Sequence, residues 1–410
     1  MPSTNAPSII FALATGLTNG GVTIWALNLS KRLNEKGYLS KLICHSSSGQ
    51  NTFAPLDRDD ITYCEGPNAY GADVNAIHGF LPTYSSLEPG IFIPNWSWGT
   101  YATVALMSLH ARSDLRVIAF AHSDEDHYYE LLTYYEPIIS NFVAVSDTVY
   151  ENLRRLLPSR LIDISKLSYP VSVVSGRKIY DHSRPLVITY AGRIWQQQKR
   201  ILDLIPLVKL LALKKGAYHF KIAGDGPCLT QLVDFFNKNK YPNGSVDFLG
   251  LVAHEEMTDI WAGSDVSILF SEYEGISISM LESMGQGCIP VVTDVSGSRE
   301  AIINGETGFI VPIGDVECMA KIINTLELNR AVVEQISNAC ILAIRDRHGF
   351  DQYDQDFVKI IQQSMRKSSV KWPISKAIVP AKKDPRPSSI YRRVRGKAGR
   401  LLMRLKNFNV

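Results

Sequence analysis

Short apolar runs alternate along nearly the whole chain with stretches in which apolar residues recur every three or four positions. That alternation is the pattern of parallel sheets joined by crossover helices. In the first half, residues 9–14 read as a strand. After a Gly-rich turn, Val22, Trp25, Ala26, Leu29 and Leu33 mark one face of a helix that Gly37 ends. Further strands are predicted at 41–44, 91–94, 117–121 and 142–145, with a helix over 148–157. A second series follows the loop around 175–184, with strands at 186–191, 219–223, 246–249, 266–270, 289–293 and 308–311. Helices at 201–213, 229–238, 255–261, 277–284 and 316–328 complete it. The expected fold class is α/β: two facing domains of similar size, residues 1–175 and 176–345, with the ligand in the cleft between them. A last helix at 351–363, within a segment 346–367, is expected to pack back across the boundary, and residues 368–410 form a tail.

Composition narrows the picture. A chain of 410 residues, 45% hydrophobic and 20% charged with ordinary Gly and Pro, builds sizeable cores; it is not collagen-like, coiled-coil, low-complexity or disordered throughout. Six cysteines lie far apart with no Cys-x-x-Cys pair and no neighbouring His cluster, so they read as reduced, mostly buried thiols of a cytosolic protein and not as metal ligands. No apolar run approaches the ~20 residues of a membrane span, and no basic region precedes the first strand as in a secretory signal.

Charge is unevenly placed. Net charge is +3, yet residues 366–410 hold 14 Lys and Arg against one acid, which leaves the preceding 365 residues at −10. In 390–405 apolar residues recur three or four apart while Arg392, Arg393, Lys397, Arg400 and Arg404 occupy other faces. This predicts a basic amphipathic helix on an anionic membrane surface; the other reading is a solubilising tail, and nucleic acid is not expected as a partner.

Four turns of the second domain carry polar or Gly residues at the carboxyl ends of strands, where open parallel sheets bind ligands. In the first, Gly192 and Arg193 precede Lys199 by a few residues. Arg can grip phosphate oxygens with its fork while Lys adds a point charge, which together neutralise a leaving diphosphate without a metal ion. Taken singly, each is equally a solvated surface cation. The second turn, Gly224-Asp225-Gly226-Pro227, lets backbone approach a ligand while Asp225 accepts hydrogen bonds. In the third, Glu274 and Glu282 span a loop and the opening of a helix. The free N–H groups of Gly275, Ile276 and Ser277 suit an anion or a sugar hydroxyl, and the carboxylates suit diols, although Glu282 could instead pair on the surface. The fourth, Ser296-Gly297-Ser298-Arg299-Glu300, also reads as ordinary turn chemistry.

These residues in this order resemble the large retaining glycosyltransferase family with two facing Rossmann-like, doubly wound domains, the GT-B architecture of the "glycosyl transferases group 1". The resemblance covers roughly residues 5–365. It is carried by Glu274-x7-Glu282 with Met284-Gly285-Gln286-Gly287 and Pro290, by Gly192-Arg193 and Lys199, and by Gly224-Asp225-Gly226-Pro227. It implies that Arg193 and Lys199 bind the donor diphosphate, that Glu274 works near the transferred sugar and that Glu282 holds the ribose hydroxyls. In the first domain, Gly20 and Gly21 are similar to the family's Gly-Gly loop near the donor phosphate, and His122 matches a cleft histidine that contacts the donor sugar. The adjoining Asp124-Glu125-Asp126 superficially reads as the metal-binding Asp-x-Asp of single-domain glycosyltransferases, a motif the two-domain architecture does not use, so no metal is expected.

The implied activity is metal-independent transfer of a sugar, with retention, from a nucleotide-sugar donor, UDP- or GDP-linked, to a saccharide or lipid-linked saccharide acceptor in cell-surface polysaccharide or glycolipid synthesis. No cofactor is implied, because the nucleotide sugar is a substrate. The implied location is the cytoplasm, on the inner face of the membrane where the tail binds lipid. The alternatives are a nucleotide-sugar epimerase of the same fold and a catalytically silent membrane-associated scaffold. The chain departs from the family pattern at Val171-Ser172-Val173-Val174, where Asn-Gly-Val-Asp is usual, at Arg200, where Gly usually follows the Lys, and at Ser277, where many members have Gly.

Overall fold

The structure is a computed structural model. It describes residues 7–380 except 15, 19, 47–58, 66–70, 72–73, 88–89, 110–113, 175–177, 179, 240, 242 and 370. Seven strands form the first sheet: β1 (Ser8–Leu13), β2 (Leu39–Ser46), β3 (Ile61–Glu65), β4 (Ile91–Ile93), β5 (Arg116–Ala121), β6 (Asn141–Ala144) and β7 (Ile164–Lys166). Six form the second: β8 (Leu186–Ala191), β9 (Tyr218–Ala223), β10 (Gly244–Gly250), β11 (Val266–Leu269), β12 (Ile289–Thr293) and β13 (Phe309–Val311). The strand orders are β3-β2-β1-β4-β5-β6-β7 and β10-β9-β8-β11-β12-β13, and every pairing is parallel. The order reverses beside β1 in one sheet and beside β8 in the other, and such switch points open a crevice at the carboxyl edge.

Period-two alternation explains how the first sheet is buried on both faces. Ile9, Phe11, Ile118, Phe120 and Val143 join one cluster with the helix Gly21–Glu35, and that cluster continues into the core of the second sheet. Ile10, Ala12, Val117, Ala119 and Phe142 join the other, under the helices Val74–Ser86, Trp98–Ser108 and Asp126–Tyr134.

Sequence periodicity missed those three helices, together with β3, β7 and the helix Arg330–Arg347. The physical reasons differ. Trp98–Ser108 is buried almost all round and so has no polar stripe, Val74–Ser86 contains Pro82, and β7 has three residues. The stretch expected as one helix at 201–213 is a 3-10 turn, Ile201–Asp203, leading into the helix Leu204–Ala212.

The helix Phe350–Met365 returns to the first sheet. Phe357 packs against Phe120 of β5, Trp25 Nε1 donates to Tyr353 Oη at 2.7 Å, and buried Asp354 receives Arg32 Nε at 3.0 Å. Beyond it the chain stays attached to the first domain. Trp372, 2% exposed, lies against Tyr134 and Tyr135, its backbone N–H donates to Ser108 Oγ at 2.9 Å, and the Tyr135 hydroxyl donates to Ile378 O at 2.9 Å. The segment expected as a tail from 368 onward therefore begins as a packed strap. Its basic part, including 390–405, lies outside the described residues.

Candidate functional site

The loops at the carboxyl edges of the two sheets touch. Ser123 and Gly275 form an isolated antiparallel bridge, and Asp124 N donates to Glu274 O at 3.1 Å. A Cβ on Gly275 would collide with His122 O, so the close approach of the two loops requires glycine there. The helices that open on this seam are Gly21–Glu35, with Gly20 as N-cap, and Ile278–Gly285, with Ser277 as N-cap accepting from Met280 N at 3.3 Å. Their first turns abut, since a Cβ on Gly21 would stand 2.9 Å from Ile278 Cδ1. The positive ends of two helices thus lie side by side at the seam, with Met280 N already capped by Ser277.

Glu274, 8% exposed, receives Lys199 Nζ at 2.5 Å and Ser271 Oγ at 2.7 Å on the same oxygen, Oε1. Arg193 is exposed at the neighbouring turn; it bonds Gln198 and lies 5.1 Å from the centre of the Trp195 ring. Gln198 Nε2 in turn donates to Tyr273 O at 3.3 Å, which couples the Arg193 turn to the Glu274 loop. Arg200 adopts a left-handed φ of 47°, the conformation for which glycine is suited, and is held there by Asp203 and Glu272, each 3.0 Å away. Gly224 has φ 139°, and a Cβ would run into Gly192 O, so the first two turns are packed backbone to backbone. Asp225 points its carboxylate to its own turn, accepting from Gly226 N at 2.7 Å, and is otherwise exposed.

His122 is buried with both ring nitrogens engaged. Nδ1 is 2.5 Å from Tyr169 Oη and Nε2 is 3.0 Å from Asn95 Oδ1. Asn95 Nδ2 donates to Ala12 O at 2.7 Å, which turns Oδ1 toward the histidine and puts the ring proton on Nε2, leaving Nδ1 to accept from the Tyr169 hydroxyl. Burial pushes the imidazole down to about 3, so it is neutral at ordinary pH. The ring lies parallel to Phe120, centroids 5.5 Å apart, with Tyr169 nearly coplanar beyond Nδ1 and Trp25 edge-on.

Glu282 lies apart from Glu274, one helical turn down, in a cleft between the sheets that is open to solvent and that Gly21, Trp25, Tyr169, His254 and Ile278 also line. Burial lifts its carboxyl to about 7. His254 Nδ1 is 3.6 Å away, and burial lowers that imidazole too, so the contact is polar and not an ion pair at neutral pH.

The seam therefore gathers Gly20, Gly21, His122, Gly275, Ile276 and Ser277, with Lys199 and Glu274 paired beside it. Gly192, Arg193, Gly224, Asp225 and Gly226 form the adjoining pair of turns. Sequence reasoning missed Asn95, Tyr169 and Gln198, which hold the site residues in place, and His254, although Asn95 and His254 both follow predicted strands. It also read Glu125 only as part of an acidic run. Burial raises the Glu125 carboxyl from its ordinary value; the Ser123 side chain and His127 act against that shift, and the nearby charge of Glu274 adds to it. Tyr273 beside it is pushed up to about 12, first by burial and then by Glu125.

The fold is that of the GT-B glycosyltransferases. It matches sucrose-phosphate synthase from Thermosynechococcus elongatus at TM-score 0.71 and 13% identity, over 88% of this chain and 99% of that one. It matches Anabaena HepE, solved with UDP and glucose, at TM-score 0.69 and 13% identity, over 87% and 99%. Residues 185–329, the stretch that holds Arg193, Lys199, Glu274 and Glu282, match the family model described as "Glycosyl transferases group 1". Among relatives in sequence, N-acetyl-alpha-D-glucosaminyl L-malate synthase of Bacillus anthracis is 23% identical over 250 residues, 60% of either chain. Glycogen synthase of Mycobacterium tuberculosis is 26% identical over 38% of this chain and 37% of its own, and the Bacillus subtilis putative glycosyltransferase EpsD is 40% identical over 38% and 41%. The matched stretches thus span less than two thirds of these relatives.

Proposed function

We propose that the chain is a retaining glycosyltransferase that moves a sugar from a nucleotide-sugar donor, UDP- or GDP-linked, to a saccharide or lipid-linked saccharide in polysaccharide or glycolipid synthesis. The observation that carries this reading is the buried Lys199–Glu274 pair at the seam where two helix N-termini converge, with Arg193 on the adjoining turn. As the donor's glycosidic bond breaks, negative charge grows on the leaving diphosphate and positive charge on the sugar. Lys199, Arg193 and the N–H groups near Gly21, Gly275, Ile276 and Ser277 answer the first; Glu274, freed in part from Lys199 by the phosphate, faces the second. Gly20, Gly192, Gly224, Asp225 and Gly226 shape the donor loops, and Glu282 accepts the ribose hydroxyls. His122, neutral and tied at both nitrogens, acts as a rigid wall of the sugar pocket. No step calls for a metal ion or a cofactor in this scheme.

The names of the relatives and of the UDP complex among the fold's neighbours support a sugar nucleotide as donor. No described helix is long and apolar enough to cross a membrane. The basic segment 390–405 is proposed to bind anionic lipid on the cytoplasmic face, where a lipid-linked acceptor would lie in the same plane.

Calorimetry with UDP, GDP and ADP, without metal, tests the donor site. One nucleotide binding the parent, and much more weakly the Glu282→Ala variant, is the expected result; no binding of any of the three overturns the reading. Deleting residues 381–410, which spares the packed strap, should release the protein from anionic vesicles.

A further inference from the structure

The acidic run after β5 leads into a wall of aromatic rings that the donor chemistry does not use. Trp96 follows the Pro94–Asn95 turn at the carboxyl end of β4 and is only partly buried. Its ring stacks on Tyr128, centroids 6.0 Å apart at 28°, and meets exposed His127 edge-on at 6.2 Å. Tyr128 in turn touches His122 edge-on at 6.5 Å, so the wall runs directly into the seam. Its position is fixed from behind. Asn95 has φ 54°, an uncommon conformation for a residue other than glycine, and both ends of its amide are tied, to Ala12 O and to His122. The rings are therefore held before any ligand arrives, and Glu125, N-cap of the helix Asp126–Tyr134 that carries His127 and Tyr128, directly follows Asp124, whose N–H reaches across the seam to Glu274 O.

We propose that Trp96, backed by Tyr128 and flanked by His127, is the stacking platform for a sugar ring of the acceptor. An aromatic face presents negative potential, and the axial C–H bonds on one face of a pyranose present positive potential, so the two associate while the ring's hydroxyls stay free for polar partners at the edge. A carboxylate at the seam end of such a platform suits a hydroxyl pointed toward the donor. The ligand class is thus a saccharide with one apolar ring face. This rests on the glycosyltransferase reading and specifies its second substrate.

The test is saturation-transfer NMR on the full chain, with and without UDP, using methyl β-D-glucopyranoside and methyl β-D-galactopyranoside as probes and glycerol as a polyol without a ring face. Saturation concentrated on the ring C–H protons is expected for at least one glycoside and not for glycerol, and it persists with UDP bound because the donor pocket is separate. Trp96→Ala should weaken the apparent affinity about tenfold and Trp96→Phe by much less. Unchanged saturation in Trp96→Ala, equal saturation of glycerol, loss of the signal on adding UDP, or no saturation of either glycoside would each overturn the platform. UDP binding, measured on the same samples by calorimetry, reports on the donor site independently, so the two readings fail separately.

Discussion

Lys199 Nζ and Glu274 Oε1 meet at 2.5 Å across 75 residues of sequence, each side chain nearly out of solvent at 13% and 10% exposure. Neither charge is isolated, since Ser271 also donates to Oε1. Removing one partner leaves the other buried and unpaired, which costs more than the pair is worth. Lys199→Met should lower stability by about 3 kcal/mol, and the double variant Lys199→Met with Glu274→Gln should recover much of it. Urea unfolding of the four proteins checks this. Donor turnover behaves differently: it should fall on the order of 10²-fold in each single variant and not return in the double.

The raised carboxyl of Glu282 makes donor binding pH-dependent. A carboxylate accepting from ribose hydroxyls must be ionised, so nucleotide affinity should rise as pH climbs through about 7 and level off above it. Binding below that pH releases a proton, seen as a dependence of the calorimetric heat on buffer ionisation. Glu282→Gln should bind more weakly with a flat profile, and a parent profile that is equally flat would refute the role.

His122 is shifted the other way, and its linkage is to folding. Its folded-state value near 3 lies below the ordinary 6.5, so the unfolded chain binds a proton that the folded chain refuses. The folded state is favoured above pH 6.5 and loses stability as pH falls from 6.5 toward 3, by up to about 1.4 kcal/mol per pH unit. His122→Gln keeps a donor and an acceptor but cannot titrate, so its acid limb should be shallower. His45, lowered by burial to about 4, keeps a slope of the same sign in both proteins. Denaturant titrations between pH 4 and 7 compare the two.

Gly275→Ala should separate the loops that bridge Ser123 to Gly275, because the added carbon meets His122 O, a backbone atom unable to swing aside. A loss of about 1–3 kcal/mol is expected from such overpacking, together with weaker nucleotide binding. A thermal midpoint and nucleotide affinity equal to the parent's would contradict the geometry.

Trp372→Ala should detach the strap. The buried indole fills space against Tyr134 and Tyr135, so its truncation should cost about 3–5 kcal/mol, and trypsin should then cut at Lys371 or Lys376 at low enzyme ratio.

Much of this architecture was legible along the chain. A central strand of a parallel sheet is a short apolar run wherever it lies, so β1, β8, β9 and β12 were all found, and the helix Val316–Leu328 was bounded to the residue by its own amphipathic period. The turns that carry Arg193, Lys199, Glu274 and Glu282 stood out because Gly and charge after an apolar run are local signals. Residues enclosed on every side gave no such signal. Trp98–Ser108 carries no polar stripe because it is buried almost all round, and Trp372 sits in a stretch whose composition reads as tail.

What depends on distant segments meeting could not be read from spacing. That Lys199 pairs with Glu274 and that Tyr169 and Asn95 occupy both nitrogens of His122 follow from how two sheets set their carboxyl edges against each other. Hydrophobic periodicity is a property of neighbours in sequence, and it specifies the strands and helices. The state of a histidine or the partner of a carboxylate is set by burial and by contacts tens to hundreds of residues away, and these come into being only when the chain closes on itself.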